Sequence, residues 1–499
     1  MPPAAHLGAG PFTHGVASGD PDTDRVAIWT RAVPADRRDG VELRWTVARD
    51  AELLDVVASG AARTHPDDDH TVTVEVDGLV AGTRYWYAFE SRDGQRSAVG
   101  RFRTLPADPQ RLRFALVSCA KFNAGFFNGY ARIAERDDLQ FVLHMGDYIY
   151  EAAQKPPASQ TPGADIGRPF DPLNECVTLD DYRRRYAQYR GDPDTQAMHQ
   201  AHAVTSTVDD HEFADGAWRG GSTEHKPERD GSWADRLATC FRVRQEWLPL
   251  RLPDRSDPTR VYRSVRFGGL AELFLLDTRS RRDEPSEAEI ADPARTQLGV
   301  AQRDWIFEAL DSSTARWRIL GNSSVLGRTW VEKPSDRLLG GLVALKLMSP
   351  GGGPDPDQWD GYPAEREALL GRLDGGNTVV LSGDVHVGLA IDLRSTAEPG
   401  HVVAHEFVTG SLTSQNLDDK KGWGYRTESA EVERELLAAL PDIRWAELDS
   451  HGYMVIDVDR DRVRVEWWFI DSVLERTPGQ RLAMAMEVPF GGQSMVPTG

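Results

Sequence analysis

Four apolar runs in this chain each stop abruptly at residue types that bind cations, and a sheet with those ends gathered on one side would bring them together. The clearest is Phe141–Glu151, FVLHMGDYIYE, which reads as a buried strand ending at a glycine turn. That turn lifts Asp147 out of the strand's C-terminal end, with Tyr150 three residues later. Taken alone, it reads better as a strand-to-loop turn in which Asp147 caps and Tyr150 packs. The recurrence argues otherwise. Ser118-Cys119-Ala120 closes the run beginning at Leu112, and Val208-Asp209-Asp210-His211-Glu212 closes the next. Leu381-Ser382-Gly383-Asp384-Val385-His386 follows Thr378-Val379-Val380, and extended-chain periodicity puts Asp384 and His386 on one side. Cys119 by itself could be a small core residue, a nucleophile or a thiolate ligand.

Together, Cys119, Asp147, Tyr150, Asp210, Asp384 and His386 mix a thiolate, a phenolate and an imidazole with hard carboxylate oxygens. That mixture suits two unlike cations. A trivalent, Lewis-acidic iron fits the sulfur, phenolate and imidazole side, and a calcium-like ion fits the carboxylate side, with Asp147 bridging. Zinc fits less well, because phenolate is a poor zinc ligand. Other catalytic signatures are absent: there is no GxSxG elbow, no GxxxxGK loop and no GxGxxG after a first strand. The HEF triplets at His211 and His405 lack the second histidine of a zincin helix. Three cysteines without CxxC spacing argue against a disulfide framework or a zinc cage.

The net charge of −20 argues against a nucleic-acid-binding surface, and no apolar run is long enough to cross a bilayer. The N-terminal MPPAAHLGAG has no export-signal pattern. The protein is therefore expected in the cytoplasm, or in the periplasm or medium if a signal has been removed.

Residues 11–107 read as an all-β, immunoglobulin- or fibronectin-like sandwich, with Trp29 and Trp45 in its core. Leu79, a glycine turn and Tyr85 have the form of a tyrosine corner. Residues 111–480 read as an α/β domain with mixed sheets, and 152–176 and 331–361 as active-site loops.

The series GVASGDPDTDRVAIWTR, VSCAKF, HMGDYIYE, DDHE, LLDTRSRR, WDGYPAER, LSGDVH and EFVTGS, over roughly residues 12–475, resembles the PhoD-type alkaline phosphatase/phosphodiesterase family. The resemblance implies a fibronectin-like domain followed by a four-layer αββα metallophosphoesterase sandwich holding Fe³⁺ and Ca²⁺. It implies that Cys119, Asp147, Tyr150 and His386 hold the iron, and that Asp147, Asp210 and Asp384 serve the calcium side. His211 stands where a histidine meets the phosphoryl oxygen or leaving group. Some members carry an arginine after the ligating tyrosine; here it is Glu151, so the phosphate clamp must lie elsewhere or be missing. Arg279 is a candidate, with an ordinary surface salt bridge as its alternative, and Lys121 is another. The expected activity is hydrolysis of phosphate esters by a metal-held hydroxide attacking phosphorus. The alternatives are a phospholipase D-type diesterase, favoured if Phe170 or Trp359 is exposed, and a non-catalytic metal- or surface-binding relative. Small phosphate esters or phospholipids are the expected substrates.

Overall fold

Alternation along the central strands decides the layering. In the strand Arg111–Val117, Phe114 and Leu116 face one apolar cluster and Ala115 and Val117 face another. The first cluster fills the space between two stacked sheets, where Leu143 and Met454 meet Leu273, Ile319, Leu381 and Phe407. The second is covered by the helices Asn128–Ala134, Leu179–Gly191 and Trp233–Trp247. The far face of the other sheet, through Phe274, Leu320 and Val380, carries Val300–Ser312, Asp336–Ala344, Pro363–Leu373 and Glu428–Ala439. The computed structural model, which describes residues 10–155, 166–254 and 256–498, is thus an αββα four-layer sandwich with a β-rich N-terminal unit.

The ten-stranded sheet runs 496–497, 480–489, 462–470, 452–459, 111–117, 142–144, 203–206, 16–19, 26–31, 71–76. Its strands 111–117, 142–144 and 203–206 are parallel neighbours, so their C-terminal ends lie side by side. In the seven-stranded sheet, 378–382 lies between 317–321 and 402–408, parallel to both. The N-terminal unit is not hung on a linker. Val16–Gly19 pairs in parallel with Ala203–Ser206, so one sheet of the N-terminal sandwich continues the catalytic sheet. The other sheet of that sandwich has the order 56–63, 42–48, 84–91, 100–103. Trp29 is buried among catalytic-domain residues and donates its indole N–H to the Glu246 carbonyl at 2.7 Å. Trp45 is only half-buried. The tyrosine corner is present: the Val80 N–H donates to the Tyr85 hydroxyl at 2.9 Å.

The stretch 331–361 differs from the loop its composition suggests. It contains the helix Asp336–Ala344, whose Leu338 and Leu342 enter the core. Adjacent glycines, poor helix formers, hide this helix from sequence reading. A Cβ on Gly341 would come within 2.8 Å of Val432, so glycine is what lets the helix Glu428–Ala439 pack closely. Of the other expected loop, 156–165 lies outside the described residues. Its described part includes Phe170, which is buried, as is Trp359 in the second loop. Neither offers an exposed apolar contact for a lipid.

Candidate metal centre

Strand ends supply every residue of the centre, and unusual backbone aims them. Cys119, Asp147, Asp384 and His386 all have φ between 53° and 67°, in the left-handed region that non-glycine residues rarely occupy. Such strain gathers at functional sites. Gly146, at φ 106°, permits a further close approach: a Cβ there would lie 2.4 Å from the Asp209 nitrogen. Gly383 likewise packs against Ser118, bringing the two sheets' loops together.

The donor atoms fall into three overlapping groups, each with its atoms within 4.8 Å of one another: Cys119, Asp147 and His386; Asp147, Asp210 and His211; Asp209, Asp210 and Asp384. Asp147 links the first two groups and Asp210 the last two. The Tyr150 hydroxyl donates to Asp147 Oδ2 at 2.8 Å and lies 3.2 Å from His386 Nε2. His386 Nδ1 meets the Gln415 carbonyl at 3.0 Å. Since that carbonyl can only accept, Nδ1 carries the proton and Nε2 turns its lone pair to the centre. Burial and nearby Lys420 lower the His386 pKa and keep the ring neutral, the form a cation requires.

His211 is held from both ends. Its main-chain N–H donates to Asp147 Oδ1 at 3.2 Å, and Nδ1 lies 2.7 Å from Glu151 Oε2. Its ring packs on Tyr150 with centroids 4.0 Å apart. Burial opposes protonation of His211, but Glu151, Asp147 and Asp210 outweigh it and raise the pKa well above the ordinary value. Glu151, read from sequence as a missing phosphate clamp, is therefore a histidine-positioning carboxylate. It also accepts the Asp215 N–H at 2.8 Å.

Arg279 does not face open solvent. It is fully buried, with Nη1 2.8 Å from Asp357 and Nη2 2.9 Å from Asp384, and Nε also pairs with Asp209. All three of its nitrogens sit in ion pairs with carboxylates, so it braces the acidic side of the centre. Gln358, which also holds the Val325 N–H, donates to Asp384 Oδ2.

Sequence reasoning missed Glu212. Its carboxylate accepts the N–H groups of Asp147 at 3.0 Å, Tyr148 at 2.6 Å and Asp209 at 2.7 Å, tying two ligand loops into one piece. The signal was available as the D-x-x-E capping box Asp209–Glu212. His405, the other HEF histidine, is buried against Asp392, while Glu406 holds the Leu326 and Gly327 N–H groups. Those are structural contacts.

The donor set fits cations on physical grounds. Asp209 Oδ2 and Asp210 Oδ1 are buried and accept no hydrogen bond from any described residue. Burial, reinforced by neighbouring carboxylates, raises the pKa of Asp147 and Asp209 well above the carboxylate range and that of the Cys119 thiol above its own. Such a cluster carries its negative charge readily only beside positive charge.

A sign follows for stability. With cations stripped, these raised carboxyls make the folded chain bind more protons than the unfolded one, from about pH 4 up to their folded values. We expect the Tm of chelated protein to fall as pH rises above about 4, and re-added metal to raise Tm more at pH 8 than at pH 5. A chelator-insensitive Tm with no such slope would contradict the assignment.

Comparison with known proteins bears on the family and the fold. Residues 114–467 match the PhoD-like phosphatase family, and residues 1–106 match the PhoD-like phosphatase N-terminal domain. The chain is 34% identical over 436 residues to alkaline phosphatase D of Bacillus subtilis (strain 168), covering 82% of this chain and 71% of that one. It superposes on the solved structure of PhoD with a TM-score of 0.84 at 29% identity, covering 98% of this chain and 92% of the other. A purple acid phosphatase from yellow lupin (Lupinus luteus) seeds matches at TM-score 0.55 and 12% identity over 95% of this chain and 74% of its own, a likeness of fold alone. Strand-end motifs, layer order and both family matches lead to one conclusion: the chain belongs to the PhoD-like phosphatase family.

Proposed function

We propose that this phosphoric ester hydrolase acts through an Fe³⁺ and Ca²⁺ centre in which Cys119, Asp147, Tyr150 and His386 hold the iron and Asp147, Asp210 and Asp384 serve the calcium side. The observation carrying the reading is the sharing of Asp147 and Asp210 among three donor groups, which suits cations close enough to act on one phosphoryl group. When bound, such cations supply Lewis acidity, neutralise charge on the phosphoryl oxygens and lower the pKa of attacking water.

The chain's own residues do the rest. Glu151 accepts from His211 Nδ1–H and fixes the ring, leaving Nε2 to give a proton to the leaving oxygen. Glu212 locks the spacing of the Asp147 and Asp209 loops. Arg279 pairs with Asp209 and Asp384 and orients both carboxylates.

Small phosphate esters are the substrate class. The buried states of Phe170 and Trp359 remove the feature that would have favoured phospholipid. No helix among the described residues is long and apolar enough to cross a membrane. The test is metal analysis of the full chain together with turnover of an aryl phosphomonoester and an aryl phosphodiester. Metal-dependent monoester hydrolysis, abolished by chelation and restored by iron with calcium, is expected. Dominant diester turnover would favour the diesterase, and full loading without turnover would favour a binding protein.

A further inference from the structure

The chain contains seven lysines, and three of them, from three separate segments, lie within electrostatic reach of the candidate ligands. Lys121 follows the Cys119 turn, and its ammonium lies 5.6 Å from the Tyr150 ring centroid. Lys346 follows the helix Asp336–Ala344, has φ 55°, and places Nζ 2.8 Å from Asp215 Oδ1. Lys420, in the short helix Leu417–Lys421, donates to the Ala344 carbonyl at 3.0 Å, two residues from Lys346. Lys346 and Lys420 are exposed to solvent, yet each lies within the electrostatic reach of Asp384.

These ammonium groups stand close enough to repel. Loss of surrounding water among the packed loops and neighbouring Lys346 lower the Lys420 pKa to about 8, although the side chain still reaches solvent. Each lysine has three N–H donors, and Lys346 and Lys420 each spend one on the protein. The site's other cations are committed: Arg279 to three carboxylates, and Arg282 to Asp357 and the Ala217 carbonyl. Glu151 is occupied with His211. Among the described residues, Lys121, Lys346 and Lys420 thus offer cationic donors for a substrate's outer oxygens, beside His211.

We propose that Lys121, Lys346 and Lys420 form the phosphate clamp, gripping the non-bridging oxygens of a dianionic phosphomonoester and disfavouring monoanionic diesters. Three ammonium groups gain more from two charges than from one, so the rim selects on the charge of the ester as well as its shape. This rests on the phosphatase reading above, and the experiment separates the two.

Lys346→Met, Lys420→Met and the double variant are compared with the metal-loaded wild type. The readouts are KM and kcat for p-nitrophenyl phosphate and bis(p-nitrophenyl) phosphate, and calorimetric binding of inorganic phosphate. Metal content and Tm of each variant establish that the centre is intact. The expected result is about a fivefold rise in monoester KM and in phosphate Kd per lysine, with a smaller change for the diester. Rising salt should weaken phosphate binding to wild type more than to the double variant. Lys346→Arg should restore most of the loss. Phosphate Kd in the double variant within twofold of wild type, with metals bound, would overturn the clamp. A wild type that hydrolyses neither ester would overturn the phosphatase reading, while the phosphate titration would still decide the clamp.

Discussion

Asp147→Asn is expected to release both cations and lower kcat/KM by about 10³-fold or more, since it removes the shared ligand and several kcal/mol of charge stabilisation. The substitution preserves shape, so the loss is chemical. Both Asp147 oxygens already accept, one from the His211 main chain and one from the Tyr150 hydroxyl. An amide would turn a donor toward one of these donors and bring no charge. His211→Ala is the contrasting variant. It should retain both metals while losing about 10²–10³-fold in kcat, the usual contribution of a general acid. Metal analysis beside kinetics separates the two. Normal metal content in Asp147→Asn, or normal turnover in His211→Ala, would show the assigned role to be wrong.

The second large effect is expected at Glu212, and it reads out in stability. Glu212→Ala leaves the buried N–H groups of Asp147, Tyr148 and Asp209 without their acceptor. Each orphaned group costs about 1–3 kcal/mol, so a loss of roughly 3–6 kcal/mol is expected after partial relaxation. Denaturant unfolding in chelator isolates this backbone cost from the stabilisation that bound metal adds. Glu212→Gln, which keeps one carbonyl oxygen, should fall between. A loss below about 1 kcal/mol in Glu212→Ala would mean that water replaces the carboxylate.

How far the sequence carries the reader differs by level. Mixed α/β sheets and the four strand ends were legible, because strand alternation and abrupt cation-binding endings are local patterns; the αββα layering was implied only by the resemblance of the motif series to a family. The turns carrying the candidate ligands were picked out by residue type, but their left-handed backbone at Cys119, Asp147, Asp384 and His386 was not legible; only the glycines beside Asp147 and Asp384 hinted at it. Glu151 and Arg279 show where residue type misleads. An acid in place of an arginine looked like a lost clamp, yet it meets His211, and Arg279, offered as a clamp candidate or a surface salt bridge, is enclosed by three acids. Both roles depend on contacts between residues 60 or more positions apart, which no local window contains. The helix Asp336–Ala344 was hidden for the opposite reason: its glycines serve close packing against another helix and so look like loop.

The pairing of Val16–Gly19 with Ala203–Ser206 has a practical corollary. The strand that delivers Asp209 and Asp210 has just two neighbours, and one of them comes from the first twenty residues. Amputating the N-terminal unit would strip hydrogen-bond partners from that strand and bare the Trp247 and Val204 flank that Trp29 covers. The two halves are a single mechanical object, and attempts to shrink this hydrolase should leave its N-terminal unit in place.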